Sequence, residues 1–311
     1  MLTVFFILTL KFILFVFFAF LFFYLPGKLI LFLAKVREKE SVFIIQAAFV
    51  LGVAMFVMLA ALTGILNLRF LNLLILLIFD LIALVVEGKR ILEPWRQLIK
   101  DKLLIFLIIL GFLFQVPINF PNGLVLPEGV YFWSSQGHDG LWHIALMEEI
   151  ARHFPPQNPL YPVHILKNYH FSSDILMGEF YRLLPFLSSL DLYFRFFPLL
   201  FSFLLGLTAF SLAKIKWNKK TAYWATFLTY GSSSFGYLWL LWQKKFPLGG
   251  ETVFWASQSH TILGNPPHAT ALILMTSALI FLILWIKTRE KNYLLLNLPL
   301  LMGLATFKVS V

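Results

Sequence analysis

The sequence predicts an all-α polytopic membrane protein with about eight transmembrane helices. Its mean hydropathy is +0.84, and 60% of its 311 residues are hydrophobic, which is more than a soluble globular domain carries. Apolar runs of about 18–25 residues, long enough to cross a bilayer as helices, recur along the chain. The predicted spans cover residues 3–24, 41–66, 70–87, 102–119, 190–213, 220–242, 266–286 and 293–311.

Composition excludes several other classes of protein. The chain has no cysteine, so disulfides and thiolate metal sites are excluded. Its formal charge of +10 is spread over many short connections without a basic stripe, which favours a membrane protein and predicts no nucleic-acid partner. The amino terminus lacks a charged segment and a small-residue cleavage site, so we interpret it as a retained span and not as a signal peptide.

The distribution of basic residues predicts the topology. The connections after the first, third, fifth and seventh predicted spans hold most of the lysines and arginines; the first carries Lys28, Lys35, Arg37 and Lys39. Basic connections face the cytoplasm. We therefore expect a multi-pass protein of the cell membrane with its amino terminus and its largest loop on the outer, periplasmic or extracellular side.

Three regions follow from this pattern. Residues 1–119 form an N-terminal four-span region, and residues 120–189 form a large outer loop with the candidate active site. Residues 190–311 hold further spans and a second outer loop at 243–265. The last apolar run reaches Val311 without a closing polar segment, so we expect a C-terminally truncated fragment of a longer chain.

Two ionisable residues, Lys11 and Asp80, fall inside predicted spans. An unpaired charge within a bilayer is costly, so an ion pair between them is one expectation. The alternative is that Lys11 extends to the membrane surface while Asp80 lines a polar path.

The polar stretch at residues 131–174 is where we expect the chemistry. It holds five of the seven histidines, and the two others, His260 and His268, share one later polar stretch. The five are His138, His143, His153, His164 and His170. We interpret His153 and His164 as ordinary interfacial polar residues.

From Asp139 onward the outer loop has helical spacing, with one apolar face. This predicts a short amphipathic helix at the membrane interface, flanked by Trp133 and Trp142 and ended by Pro155 and Pro156. An extended segment should follow. The residues of the predicted face are Asp139, His143, Leu146, Met147, Ile150 and Phe154.

Asp139 and His143 are the candidate catalytic residues. They are four positions apart, so their side chains can touch across one helical turn. Alternatively, Asp139 is the N-cap of the helix.

Further candidates come from two other groups of polar residues. In the first, Tyr169, His170 and Asp174 precede an apolar segment, where Ser172 or Ser173 would alternatively cap a helix and Asp174 would favour its positive end. The second contains His260 and His268, for which a helix start near a proline is the alternative.

A metal site is a further hypothesis. The spacing of the histidines and Asp139 matches no compact zinc motif. A hard divalent cation, Mg²⁺ or Mn²⁺, held by Asp139 and a substrate phosphate is favoured instead. The residues with suitable ligand atoms are His138, Asp139, His143, His170, His260 and His268.

The outer loop resembles a loop of the GT-C superfamily of integral-membrane glycosyltransferases, in uncharacterised bacterial and archaeal members. The similarity is carried by GHDGLWHIALMEEI, FPPQNPLY and NYHFSSDILMGEF, and LPGKLI resembles their amino-terminal region. Two features depart from the family. His138 precedes Asp139 where a doubled acidic motif is usual, and four predicted spans precede the loop where well-studied members have one.

The resemblance implies transfer of a sugar from a polyprenyl-phosphate or polyprenyl-diphosphate donor on the outer leaflet to a glycan, lipid or protein acceptor. Asp139 would be the base toward the acceptor hydroxyl or a metal ligand, and His143 would orient it. Inverting transfer needs a carboxylate at the acceptor and positive charge near the leaving phosphate. Substrate contacts would come from His138, Tyr169, His170, Asp174, His260 and His268.

Two other functions are compatible with the sequence. A transporter or lipid flippase should carry charged or broken helices near the membrane centre. A non-catalytic scaffold of a membrane assembly would use the outer loop only to bind partners.

Overall fold

The computed structural model describes residues 2–132, 136–232, 242–244 and 264–307, and most of these are helical. Two π-helical segments, Phe20–Tyr24 and Leu192–Phe196, continue directly into the α-helices that follow them. The α-helices are α1 (Leu2–Ala19), α2 (Leu25–Leu33), α3 (Ser41–Ile65), α4 (Asn72–Glu87), α5 (Glu93–Lys100), α6 (Lys102–Asn119), α7 (Gln136–Arg152), α8 (Ser172–Leu183), α9 (Ser189–Asp191), α10 (Phe197–Lys216), α11 (Lys219–Gly231), α12 (Pro266–Thr288) and α13 (Lys291–Phe307).

Helices that are long and apolar enough to cross a membrane occur at five of the predicted positions, which supports a multi-pass membrane protein. At the three other positions the described helices are α6, α11 and α13, which are shorter or lie partly outside the described residues. Crossing by these three remains a prediction. The five long helices cover Phe5–Leu33, Ser41–Ile65, Arg69–Ile91, Ser189–Lys216 and Pro266–Thr288.

The first helix is longer than predicted. It continues past residue 24 through the π-helical segment to Leu33, so Lys28 lies inside the helix and not in a connection. Pro26 lies just after the π-helical segment, where the regular i→i−4 hydrogen-bond ladder that a proline cannot join is already interrupted. The Lys28 ammonium is buried and pairs with Glu87 at 3.2 Å, which explains how a helix can contain it.

Two glycines let the first and second long helices touch closely. A Cβ added at Gly27 would lie 1.7 Å from the Ala48 carbonyl oxygen, and one at Gly52 would lie 1.8 Å from that of Phe23. Small residues permit this backbone approach in membrane helices, where packing drives association. The α3 helix is largely buried between its neighbours and forms the centre of the core.

The connections predicted to face the cytoplasm meet at one end of the bundle, which we call the basic end. Ion pairs link the region at the end of the first predicted span to the regions that follow the third, fifth and seventh predicted spans. A further ion pair links the region after the third predicted span to the region after the fifth. Such links require these connections to lie together, as the alternating charge pattern predicts. The four pairs are Lys28–Glu87, Arg37–Glu290, Glu40–Lys214 and Asp101–Lys219.

The predicted ion pair between Lys11 and Asp80 is wrong. The Lys11 ammonium lies 3.4 Å from the Asp191 carboxylate, which also pairs with Arg195 at 2.7 Å. Asp80 is only 4% exposed, and neither of its carboxylate oxygens has a hydrogen-bond partner within the described part of the chain. The Asp191 carboxylate, at the start of the fifth predicted span, attracts the Lys11 ammonium as well as the Arg195 guanidinium.

We expect Asp80→Asn to increase the thermal stability of the protein, because a buried, unpaired carboxylate is penalised more than an amide. Asp191→Asn is the matched comparison and should lower stability, since that carboxylate is paired with two cations. Thermal unfolding in detergent would measure both changes. A loss of stability in Asp80→Asn would show that this carboxylate binds a cation or another polar partner.

The predicted outer loop, residues 120–189, also contains two small antiparallel sheets, so the protein is not entirely α-helical. Strands β1 (Leu124–Leu126) and β2 (Gly129–Tyr131) form one hairpin, and β3 (Gln157–Asn158) and β4 (Tyr161–Ile165) form the other. The second hairpin agrees with the extended segment expected after Pro156. The Arg195 guanidinium donates hydrogen bonds to the backbone oxygens of Phe120, Asn122 and Gly123, which fixes the start of the loop to the fourth long helix, Ser189–Lys216.

Candidate functional site

The predicted helix of the outer loop is present as α7, but its apolar face contacts protein. Leu146, Met147 and Ile150 are fully buried, and α7 packs against α8 so closely that a Cβ at Gly178 would lie 2.8 Å from the Met147 carbonyl oxygen. The apolar face is therefore covered by protein, and the position of the helix at the membrane interface stays a prediction. The helical period predicted the face, but it could not identify its partner.

Asp139 lies inside the first turns of α7. The helix already includes Gln136, so Asp139 is not its N-cap. Its side chain is 59% exposed, and its Oδ1 atom lies 2.9 Å from the Nδ1 atom of the still more exposed His138. An exposed carboxylate near the positive end of a helix is favourably placed relative to the helix dipole and is accessible to a ligand.

His143 pairs with Asp174 deep in the same region. The Nδ1 atom of His143 and the Oδ1 atom of Asp174 are 2.8 Å apart, and the two side chains are 7% and 0% exposed. The imidazole also stacks on the Tyr193 ring, with centroids 5.8 Å apart. The role of His143 in orienting Asp139 stays a prediction.

Asp174 does lie in the first turn of α8, as expected, but the serines do not cap it. Phe171 occupies the N-cap position without a side-chain hydrogen bond, and the Ser172 hydroxyl donates to Thr306 at 2.7 Å. The Ser173 hydroxyl and the Oδ2 atom of Asp174 are buried without a hydrogen-bond partner in the described ranges. The buried end of α8 therefore retains hydrogen-bonding capacity beside the imidazole.

Three aromatic side chains lie next to this pair. The Tyr169 ring stacks on His170 with centroids 4.6 Å apart, and the Trp142 Nε1–H group donates to the Tyr169 hydroxyl at 2.9 Å. Burial raises the pKa of Tyr169 to about 12, and the negative charges of Asp174 and Asp139 act in the same direction. The phenol therefore keeps its proton at neutral pH and can donate it to an oxygen of a ligand.

The other histidines have different locations. His153 is exposed and pairs with Glu149 one turn away at 3.1 Å, and His164 is exposed on β4. His268 lies in the first turn of α12, and the backbone N–H of His268 donates a hydrogen bond to the side chain of the N-cap residue Asn265. The α12 helix contacts α8. This agrees with the helix start proposed for that segment. His260 and Trp133 lie outside the described residues.

Asp139 could hold a divalent cation together with a substrate. Among the described residues, no group of three or more His, Asp or Glu side chains lies close enough to hold a metal ion alone. Asp139 offers an exposed carboxylate, which is the hard oxygen ligand that Mg²⁺ and Mn²⁺ prefer. Phosphate oxygens of a substrate would complete such a coordination shell.

A second buried cluster was not predicted. The Glu179 carboxylate, 1% exposed, accepts hydrogen bonds from Asn72, Arg69 and Arg182. Arg69 also donates to the carbonyl oxygen of Ile150 at the end of α7. The only sequence signal was the spacing of Glu179 and Arg182, which allows contact across one helical turn. This cluster holds α7, α8 and the start of α4 together beneath the candidate site.

Comparison of the chain with protein-family models, with curated proteins and with solved structures finds no match. The class of protein therefore follows from its own architecture. It is a multi-pass helical membrane protein. One end of the bundle carries the polar site of α7 and α8, and the other is the basic end.

Proposed function

We propose that the protein is a membrane glycosyltransferase that moves a sugar from a polyprenyl-phosphate or polyprenyl-diphosphate donor to an acceptor on the outer face of the cell membrane. The observation that carries the proposal is the exposed carboxylate of Asp139 beside the buried His143–Asp174 pair. Both lie at the end of the bundle opposite the basic connections. By the positive-inside rule that end faces outward, where lipid-linked donors are presented.

Asp139 serves as the general base in this proposal. Its carboxylate removes the proton of the acceptor hydroxyl while the acceptor oxygen bonds to the anomeric carbon of the sugar. The bond between that carbon and the phosphate oxygen breaks, and the lipid phosphate leaves with the electron pair. In the alternative, Asp139 is a metal ligand, and a divalent cation held by its carboxylate and the phosphate would neutralise the leaving group.

The neighbouring residues bind the substrate. His138, His170, His260 and His268 are the proposed donors to the leaving phosphate, because an imidazolium or neutral imidazole N–H stabilises developing negative charge. Trp142 and Tyr169 present aromatic faces with hydrogen-bonding tips, which suits a sugar ring with polar and apolar faces. The His143–Asp174 pair fixes the floor beneath these rings.

A transporter or lipid flippase is the second candidate, and Asp80 is the observation that favours it. Intramembrane ionisable residues commonly mark a transport path, and this carboxylate is buried without a partner in the described part of the chain. A transporter would move the lipid carrier or its headgroup without breaking a glycosidic bond.

A panel of radiolabelled polyprenyl-phosphate and polyprenyl-diphosphate sugars would test the proposal. The chain, together with any sequence that follows Val311 in its gene, would be reconstituted in lipid discs with short glycan and lipid acceptors. We expect one class of donor to be cleaved, with the label appearing on an acceptor. If no donor is cleaved but labelled carrier crosses the bilayer of reconstituted vesicles, transport is the function.

A further inference from the structure

An open cavity of about 500 Å³ lies at the basic end, far from the candidate active site. It is formed between the end of α2, the segment that follows it and the end of α4. Both its volume and its position between membrane helices suit a small ligand or a headgroup. The catalytic proposal makes no use of it.

The floor of this cavity is a neutralised ion pair. The Lys28 ammonium and the Glu87 carboxylate are 3.2 Å apart, and each side chain is 9% exposed. Arg37, at the rim, pairs with Glu290. The rim residue Glu38 accepts hydrogen bonds from two backbone N–H groups, of Lys39 and Glu40.

Two cations of the rim remain without a carboxylate. Lys35 and Arg90 line the cavity, and neither forms an ion pair with any of the described residues. Lys35 also has a backbone φ of 53°, a conformation in which glycine or asparagine is usual after a helix. The cavity therefore has a positive rim, and the lysine there is not favoured by the backbone.

The membrane-facing wall of the cavity is apolar. Phe32 and Leu33, at the end of α2, line it and are 42% and 67% exposed. A ligand that fits both the wall and the rim carries a hydrocarbon chain next to a negative charge. A soluble anion would leave the apolar wall uncovered.

We infer that this cavity binds the headgroup of an anionic phospholipid. Its phosphate lies between Lys35 and Arg90, and an acyl chain runs along Phe32 and Leu33. Basic pockets between membrane helices on the cytoplasmic side bind such headgroups, and the cytoplasmic leaflet supplies anionic lipids. The site is independent of glycosyl transfer.

Native mass spectrometry of the protein in detergent would test this site. Phosphatidylglycerol and phosphatidylcholine with the same acyl chains would be titrated against the wild type and the double variant Lys35→Gln/Arg90→Gln. We expect the wild type to prefer phosphatidylglycerol. Each cation near a membrane surface contributes about fivefold in affinity, so the variant should bind that lipid roughly 25-fold more weakly.

The matched control is Lys216→Gln/Lys220→Gln, which removes two exposed cations from the same end of the bundle but outside the cavity. Its lipid affinity should equal that of the wild type, and thermal unfolding should show that both variants fold. Equal weakening in the two variants would overturn the site in favour of diffuse surface charge. Displacement of bound lipid by glycerol phosphate at equal concentration would also overturn it, because a soluble phosphate would then be the ligand.

Discussion

Replacing Asp139 with asparagine should lower the rate of sugar transfer by about 10²- to 10⁴-fold, because an amide cannot accept the proton of an acceptor hydroxyl. The substitution keeps the shape of the side chain. Since Asp139 is 59% exposed, the folded structure should not change. The measurement is kcat/KM with the donor identified in the panel, together with the thermal unfolding midpoint of the variant.

Glu128→Gln is the control for this prediction, because Glu128 is an exposed carboxylate of the same outer loop. Its activity should remain within about twofold of the wild type, as is usual for surface substitutions. A loss of less than threefold in Asp139→Asn would assign the base elsewhere. His143 would then be the next candidate, because Asp174 can hold its imidazole in one orientation through the 2.8 Å contact.

Glu179→Ala should reduce the free energy of unfolding by about 3–5 kcal/mol, because removing one partner of a buried ion pair leaves the others uncompensated. Arg69, Arg182 and Asn72 all donate to this carboxylate. Thermal unfolding in detergent, followed by tryptophan fluorescence, should show a clear fall in the midpoint. Activity measured below that midpoint should also fall, since the cluster supports α7 and α8.

The matched control for this second prediction is the substitution Arg152→Ala. Arg152 forms an exposed pair with Glu148 one turn away at 3.4 Å, and such pairs contribute about 0.3–0.5 kcal/mol. Its midpoint should barely change. If Glu179→Ala unfolds at the same temperature as Arg152→Ala, the buried cluster does not stabilise the fold.

The sequence predicted the long helices well because crossing a membrane imposes a length and a composition that hydropathy reads directly. It also predicted α7 from helical spacing, with Pro155 and Pro156 beyond its end. The predicted ends of the helices were less accurate. Lys28 was placed in a connection because a lysine is costly inside a span, and only its buried pairing with Glu87 makes the longer helix possible.

Partners across long sequence separations could not be predicted. Lys11 pairs with Asp191, which is 180 positions away, and His143 pairs with Asp174, which is 31 positions away. Spacing along one helix favoured Asp139 as the partner of His143, and the packing of α7 against α8 places Asp174 2.8 Å from the imidazole as well. Candidate residues can thus be selected from composition, whereas their pairing depends on the tertiary contacts between helices.

The ion pairs of the basic end have a consequence for the order of assembly. The ion pair of Glu40 cannot form until Lys214 has been synthesised, 174 residues later. The ion pair of Arg37 cannot form until Glu290, which follows α12, has been synthesised. A chain grows from its amino terminus and its early segments enter the membrane first. The first helical hairpin must therefore persist with its terminal charges hydrated by water. Ribosomes that stop before α12 would release a protein whose charges at the basic end are still incompletely paired.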